Sequence, residues 1–120
     1  MRFEQMSWSD VEQYLSRDNR LIVITGATEQ HSSMSIVTDI LIPNALADAV
    51  AEREQVLIAP PLSYGCSPYF ATYPGTISLK LETFVIVVKE LTAQFIVNPF
   101  TADVVGNYSG LVQPGPLQPP

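Results

Sequence analysis

The chain has 120 residues, of which 47% are apolar and 15% are charged, and its formal net charge is -6. This length and composition predict one folded domain and exclude a chain that is disordered throughout. The acidic balance argues against nucleic acid and anionic membranes as partners, because both are bound through surfaces rich in Lys and Arg.

Three further features that the sequence lacks bear on the expected cellular location of the protein. No apolar run approaches the roughly 18 residues of a membrane span. The first residues lack the basic and apolar segments of a signal peptide. Cys66 is the single cysteine, so the sequence offers no disulfide framework. A cytoplasmic location is therefore the default expectation.

The first predicted elements are a helix, a strand and a polar loop. Residues 9–16 predict a short helix with a serine cap and acidic residues in its first turn. Residues 21–25 are apolar and rich in β-branched side chains, as in a buried strand. Gly26 ends this strand, and the loop that follows carries Glu29 and His31.

A second helix and strand follow. Residues 44–54 predict a helix with Pro43 near its first turn. Residues 55–59 predict a second buried strand, which a Pro-Pro pair ends. A long loop, residues 63–74, then carries four aromatic side chains.

The last part of the chain is less regular. Residues 76–79 predict a short strand, and residues 82–94 a helix, although the middle of this helix is also compatible with a strand. Residues 95–97 predict a third strand. The segment 95–120 holds one charged residue and five prolines, which predicts an extended or disordered segment without a regular hydrogen-bond ladder. We therefore expect a domain at residues 1–94 and a divergent Pro-rich segment after it.

The alternation of strands and helices predicts an α/β fold with a mainly parallel sheet. Ligand sites in such sheets form at the carboxyl ends of the strands, and Glu29 and His31 directly follow the first strand. With Asp39 they offer one imidazole and two carboxylates, a set that suits zinc, manganese or iron. The alternative is a polar loop with a surface histidine.

Four pieces of the chain, in order, resemble the creatininase family of metal-dependent amidohydrolases. The resemblance runs from about residue 8 to residue 94. The pieces are Gly-Ala-Thr-Glu-Gln-His at 26–31, Thr-Asp at 38–39, Pro-Pro-Leu-Ser-Tyr-Gly-Cys-Ser-Pro at 60–68 and Tyr-Pro-Gly-Thr-Ile-Ser-Leu at 73–79.

This resemblance implies an α/β/α sandwich in which Glu29, His31 and Asp39 bind a two-metal centre, with Asp39 as the bridging ligand. It also implies that water activated between the metals attacks the carbonyl carbon of a cyclic amide or a related C–N bond. Members of the family tend to form oligomers, often hexamers. The implied partners are therefore further copies of the chain and a small amide substrate.

Two departures from the family pattern affect the predicted site. Ser32 stands where the family usually has Gly directly after its His. The family places an Asn-Gly-His motif, with a further metal ligand, after its next strand. The matching position here is Asn98, which Pro99 and Phe100 follow. We therefore expect a truncated fold that lacks the later half of the family's domain.

Two functions from different classes remain open at this stage. The first is a creatininase-type amidohydrolase whose site another subunit or chain completes. The second is a non-catalytic structural or oligomerising remnant with at most a weak metal site. Three aromatic residues, Tyr69, Phe70 and Tyr73, would line a substrate pocket, cover exposed core or form a subunit contact. Cys66 is expected to be a small buried thiol.

Overall fold

The computed structural model of the protein describes residues 1–106, with the backbone alone for residues 102–106. Its helices and strands alternate for most of this length. In chain order they are α1 (Trp8–Leu15), β1 (Arg20–Thr25), α2 (Thr38–Glu54), β2 (Leu57–Ile58), α3 (Leu81–Val97) and β3 (Thr101–Gly106). Two 3₁₀ turns, at Phe3–Gln5 and Pro68–Phe70, accompany them.

The sheet of the described residues has three parallel strands in the order β2-β1-β3. Strand β1 lies in the centre, and its residues 21–24 are all buried, as suits an apolar strand that is covered on both faces. Strand β3 pairs with β1 along its whole length, from Arg20 opposite Thr101 to Thr25 opposite Gly106. The predicted α/β fold with a parallel sheet is confirmed.

Helices cover both faces of this sheet. Ile22 and Ile24 of β1 pack with Ala47 and Ala51 of α2 on one face. The alternate residues, Leu21 and Val23, point to the other face. That face is covered by Tyr14 of α1, by Phe100 and by the partly buried Phe95 of α3. The layers are therefore those of an α/β/α sandwich, as the resemblance implied.

Helix α1 has the serine cap that its sequence predicts. The Ser7 side chain accepts a hydrogen bond from the Asp10 amide, and the Asp10 carboxylate accepts one from the Ser7 amide at 2.8 Å. The Ser7 amide and the Ser7 hydroxyl, which both donate to the Asp10 carboxylate, lower the pKa of Asp10. The reciprocal pair is a capping box, and it fixes the start of the helix at Trp8.

Helix α2 starts six residues earlier than we predicted. The Ser35 hydroxyl accepts from the Val37 amide, and the Ser35 carbonyl accepts from the Thr38 amide and hydroxyl. These bonds begin the helix at Thr38, so Pro43 lies inside it rather than near its first turn. The rule that Pro marks the first helical turn placed the start of α2 too late, because hydrogen bonds to Ser35 already begin the helix upstream of Pro43.

The predicted strand at residues 95–97 is wrong, because these residues form the last turn of α3. Phe95 packs into the core from the helix, and the Asn98 amide and side chain then cap the Gln94 carbonyl. The third strand follows at Thr101–Gly106. We expected no regular hydrogen-bond ladder after residue 94. That expectation is wrong for Thr101–Gly106, because this segment pairs with the edge of β1.

The remaining predictions concern the end of the chain, the domain boundary and two short strands. Residues 107–120, including four of the prolines, lie outside the described residues. The predicted domain boundary after residue 94 falls within α3 and stays a prediction. The predicted strand at 76–79 is reduced to one bridge between Ile77 and Thr28, and the strand at 55–59 to Leu57–Ile58. Among residues 1–106, no helix is long and apolar enough to cross a membrane.

Candidate metal centre

Glu29, His31 and Asp39 form a cluster at the carboxyl end of β1. One ligand atom from each residue lies within 4.8 Å of the ligand atoms of the other two. Glu29 is 4% exposed and Asp39 is 1% exposed, whereas His31 is only partly buried. The structure thus brings together the three residues that the sequence singles out, with the imidazole on the more open side.

The first turn of α2 positions Asp39. This residue is the second of the helix, and a carboxylate in the first turn interacts favourably with the positive end of the helix dipole. The hydrogen bonds of Ser35 and the packing of α2 on β1 together fix the start of this helix.

Gly26 permits this packing. A Cβ atom at residue 26 would lie 2.5 Å from the Asp39 carbonyl oxygen and 2.9 Å from Ile40 Cδ1, distances that no side chain tolerates. The Gly26 amide donates to the Leu62 carbonyl at 3.0 Å, which ties the end of β1 to the chain that follows β2. The close approach of β1 and α2 sets the short distance between Asp39 and the loop that bears Glu29.

The loop between β1 and α2 closes on itself. The Glu29 amide donates to the Ile36 carbonyl at 2.9 Å, and the Met34 amide donates to the His31 carbonyl at 3.0 Å. Ser32 has φ of 56°, a left-handed conformation that is uncommon for residues other than Gly. This is the position at which the family usually has Gly, so the serine keeps the backbone geometry at some conformational cost.

The loop after β2 packs against the same segment. The Thr28 hydroxyl donates to the Ser63 carbonyl at 2.7 Å, and the Ile77 amide donates to the Thr28 carbonyl at 3.0 Å. Its aromatic residues Phe70 and Tyr73 contact each other edge to face with ring centroids 6.3 Å apart. Tyr69 and Tyr73 are exposed, and Cys66 is partly rather than fully buried.

The cluster fits a divalent metal ion. Two ligand atoms that each lie about 2.1 Å from one ion are at most about 4.2 Å apart. A small inward movement of the three side chains therefore closes the site around an ion. A cation also compensates the negative charge of two carboxylates in one buried cluster, since buried charges are paired or coordinate metals. The donor set suits zinc, manganese or iron.

The position that follows the third strand differs from the one that we predicted. Asn98 caps α3 and so cannot follow the third strand. The residues that do follow β3 in sequence are Asn107, Tyr108, Ser109 and Gly110, which lie outside the described part of the chain. The β-branched pair Val104-Val105 before Gly106 is the sequence signal that would have located this strand.

Comparison with known proteins gives the family. The α/β/α domain with two carboxylates and an imidazole at a strand end is of the α/β class, in which ligand sites form at the carboxyl ends of the strands. The Creatininase family model, described as creatinine amidohydrolase, matches residues 4–110. The chain therefore belongs to the creatininase family.

Two curated relatives and one solved structure are similar to this chain. The 3-dehydro-scyllo-inosose hydrolase of Thermotoga maritima is 26% identical over 110 residues, which is 90% of this chain and 35% of that protein. The creatinine amidohydrolase of Pseudomonas putida is 30% identical over 94 residues, 72% of this chain and 36% of that protein. The structure "Creatininase Mn" has a TM-score of 0.78 at 28% identity, over 86% of this chain and 43% of that chain.

This chain thus spans about a third of the length of the two curated relatives and less than half of the solved creatininase.

Proposed function

We propose that this chain carries the metal-binding part of a creatininase-type amidohydrolase and holds a divalent ion through Glu29, His31 and Asp39. The observation that supports this proposal is the cluster itself, with three ligand atoms within 4.8 Å of one another. Its place at the carboxyl end of a parallel strand is where sites form in such sheets.

The chain's own residues would hold and orient the reacting groups. A bound divalent ion supplies a Lewis acid and lowers the pKa of a bound water. Glu29 and Asp39 lie on the buried side of the cluster and would fix the ion there, and His31 lies on the side open to solvent. A small substrate would approach from the His31 side. The bridging role of Asp39 towards a second ion remains part of the proposal.

The proposed substrate is a small molecule with the C–N bond of a cyclic amide or a related group. The similarity to a protein named creatinine amidohydrolase supports this substrate class. The other curated relative is named a 3-dehydro-scyllo-inosose hydrolase, so proteins with similar sequences are named for different substrates.

We also propose self-association, since apolar side chains are exposed on α2 and α3. A cytoplasmic location is proposed from the single cysteine.

Metal content per chain tests the metal-binding proposal. The purified protein is dialysed against metal-free buffer after loading, and its bound metal is measured by elemental analysis. We expect about one ion per chain in the native protein. We expect its loss in His31→Ala, because the cluster then loses its nitrogen ligand. Ser33→Ala is the matched control, since Ser33 is exposed in the same loop and is not a member of the cluster; it should keep its metal.

The second candidate function is a non-catalytic module of the same lineage, and the same measurement separates the two. A folded native protein without bound metal contradicts the metal-binding proposal and favours the non-catalytic module. Metal that persists in His31→Ala contradicts the proposed ligand set. A metal-loaded protein would next be assayed for hydrolysis of creatinine and other cyclic amides.

A further inference from the structure

The peptide between two of the proposed metal ligands is held by a side chain from a distant part of the chain. Gln30 stands between Glu29 and His31, and its amide donates to the hydroxyl oxygen of Thr76 at 2.9 Å. The neighbouring backbone bonds of this loop, from Glu29 to Ile36 and from Met34 to His31, stay within the loop. The bond to Thr76 fixes the loop from outside.

Thr76 is itself held by a tight turn. The Thr76 amide donates to the Tyr73 carbonyl at 3.2 Å, across Pro74 and Gly75. Gly75 has φ of 89°, and a Pro-Gly pair with positive φ at the glycine is the pattern of a type II turn. This turn presents the Thr76 hydroxyl at a fixed position.

The same turn also contacts the far end of the loop between β1 and α2, residues 26–37, which we call the ligand loop because it carries Glu29 and His31. A Cβ atom at Gly75 would lie 3.4 Å from Ile36 Cδ1, an ordinary van der Waals distance, so the turn packs over Ile36. The carbonyl of Ile36 accepts from the Glu29 amide. Directly after Thr76, the Ile77 amide donates to the Thr28 carbonyl at 3.0 Å. The turn therefore contacts the ligand loop before Glu29, between the ligands and after His31.

We propose that Thr76 is a positioning residue of the metal centre. Its hydroxyl fixes the plane of the Glu29–Gln30 peptide, and the orientation of that peptide determines whether Glu29 and His31 direct their ligand atoms at one ion. Groups that orient ligands in this way typically change metal affinity about 10-fold to 100-fold when they are removed. This role rests on the proposed function, because it assumes that the cluster binds metal.

Three variants of the full chain test the role. Thr76→Val has the same shape without the hydroxyl, and Thr76→Ser keeps the hydroxyl. Thr83→Val is the matched control, because Thr83 is exposed on α3. Mn²⁺ binding is measured by electron paramagnetic resonance titration. Amide hydrogen exchange of Gln30 is measured by NMR on the metal-free protein. We expect at least about tenfold weaker Mn²⁺ binding and faster Gln30 exchange in Thr76→Val, and native behaviour in Thr76→Ser and Thr83→Val.

The outcomes separate this proposal from the metal-binding proposal. If native protein and Thr76→Val bind Mn²⁺ equally well, the positioning role is wrong and the metal site stands. If Thr76→Ser loses affinity as Thr76→Val does, the hydroxyl is not the group that matters and the role is again wrong. If the folded native protein binds no Mn²⁺, the proposed function fails, and the role of Thr76 at a metal centre fails with it.

Discussion

At the scale of single residues, the cluster depends on a few positions that carry no ligand. Gly26 lets the end of β1 touch the Asp39 carbonyl, where a Cβ atom would lie at 2.5 Å. Ser35 begins α2 early enough to place Asp39 in its first turn. Ser32 adopts a left-handed backbone directly after His31. Each position acts through backbone geometry, which brings the three side chains of the cluster together.

Gly26→Ala is expected to lower stability by about 1–3 kcal/mol, the usual cost of overpacking a close contact. The added methyl group must push the first turn of α2 away, so Mn²⁺ affinity should fall as well. Urea unfolding and Mn²⁺ titration measure the two effects. Gly65→Ala is the matched control, because its nearest contact, Ala27 Cβ at 3.5 Å, is an ordinary one. Equal effects of the two substitutions would contradict the close-contact explanation.

At the scale of elements, one buried hydroxyl joins α1 to the sheet. Tyr14 is 3% exposed, and burial raises the pKa of its phenol. Its hydroxyl donates to the Arg20 carbonyl at 2.6 Å and accepts from the Leu57 amide at 3.3 Å. It thereby satisfies backbone groups at the starts of β1 and β2 and aligns the two strands. Arg17 lies over the same ring, with its guanidinium carbon 4.7 Å from the centroid.

Tyr14→Phe is expected to destabilise the protein by about 1–3 kcal/mol, because a buried amide and a carbonyl lose the same partner. The free energy of unfolding in urea measures the change. Tyr69→Phe removes a hydroxyl from an exposed tyrosine and should change the stability by less than about 0.5 kcal/mol. If Tyr14→Phe is as stable as the native protein, the hydroxyl does not join these elements.

At the scale of the whole molecule, apolar surface remains exposed on both outer layers. Leu46 on α2 is 58% exposed and Ile86 on α3 is 56% exposed, and neighbouring apolar side chains accompany each of them. No residue of α3 is buried, although most of its side chains are apolar. Contiguous apolar surface of this kind usually marks a contact with another protein surface, which is the basis of the proposed self-association.

Ile86→Lys is expected to shift the protein towards smaller species, because a charge within an apolar contact remains costly unless it finds a partner. Light scattering after size-exclusion chromatography, over a range of protein concentrations, gives the mass. Gln13→Lys is the control, since it adds the same charge at an exposed position of α1. A native protein that is monomeric at every concentration contradicts self-association. An unchanged oligomer in Ile86→Lys contradicts a contact through this face of α3.

The sequence by itself determined the elements whose local signals agree. The apolar run of β1 forms the predicted buried strand, and Ser7 provides the predicted serine cap of α1. The family pattern also singled out Glu29, His31 and Asp39, which the structure brings into one cluster, while their role as metal ligands stays a prediction. In each case the residues that decide the structure are close in the chain, so pattern alone was sufficient.

Tertiary structure alone decided the rest, because the deciding contacts are distant in sequence. Residues 95–97 are apolar and β-branched enough for a strand, yet packing of Phe95 on the core extends α3. Strand β3 exists through its pairing with β1, about 80 residues away. The Thr76 hydroxyl reaches Gln30 across 46 residues. Local propensity does not depend on such distant contacts. The end of α3, the third strand and the contact that holds the ligand loop are therefore visible only in the folded chain.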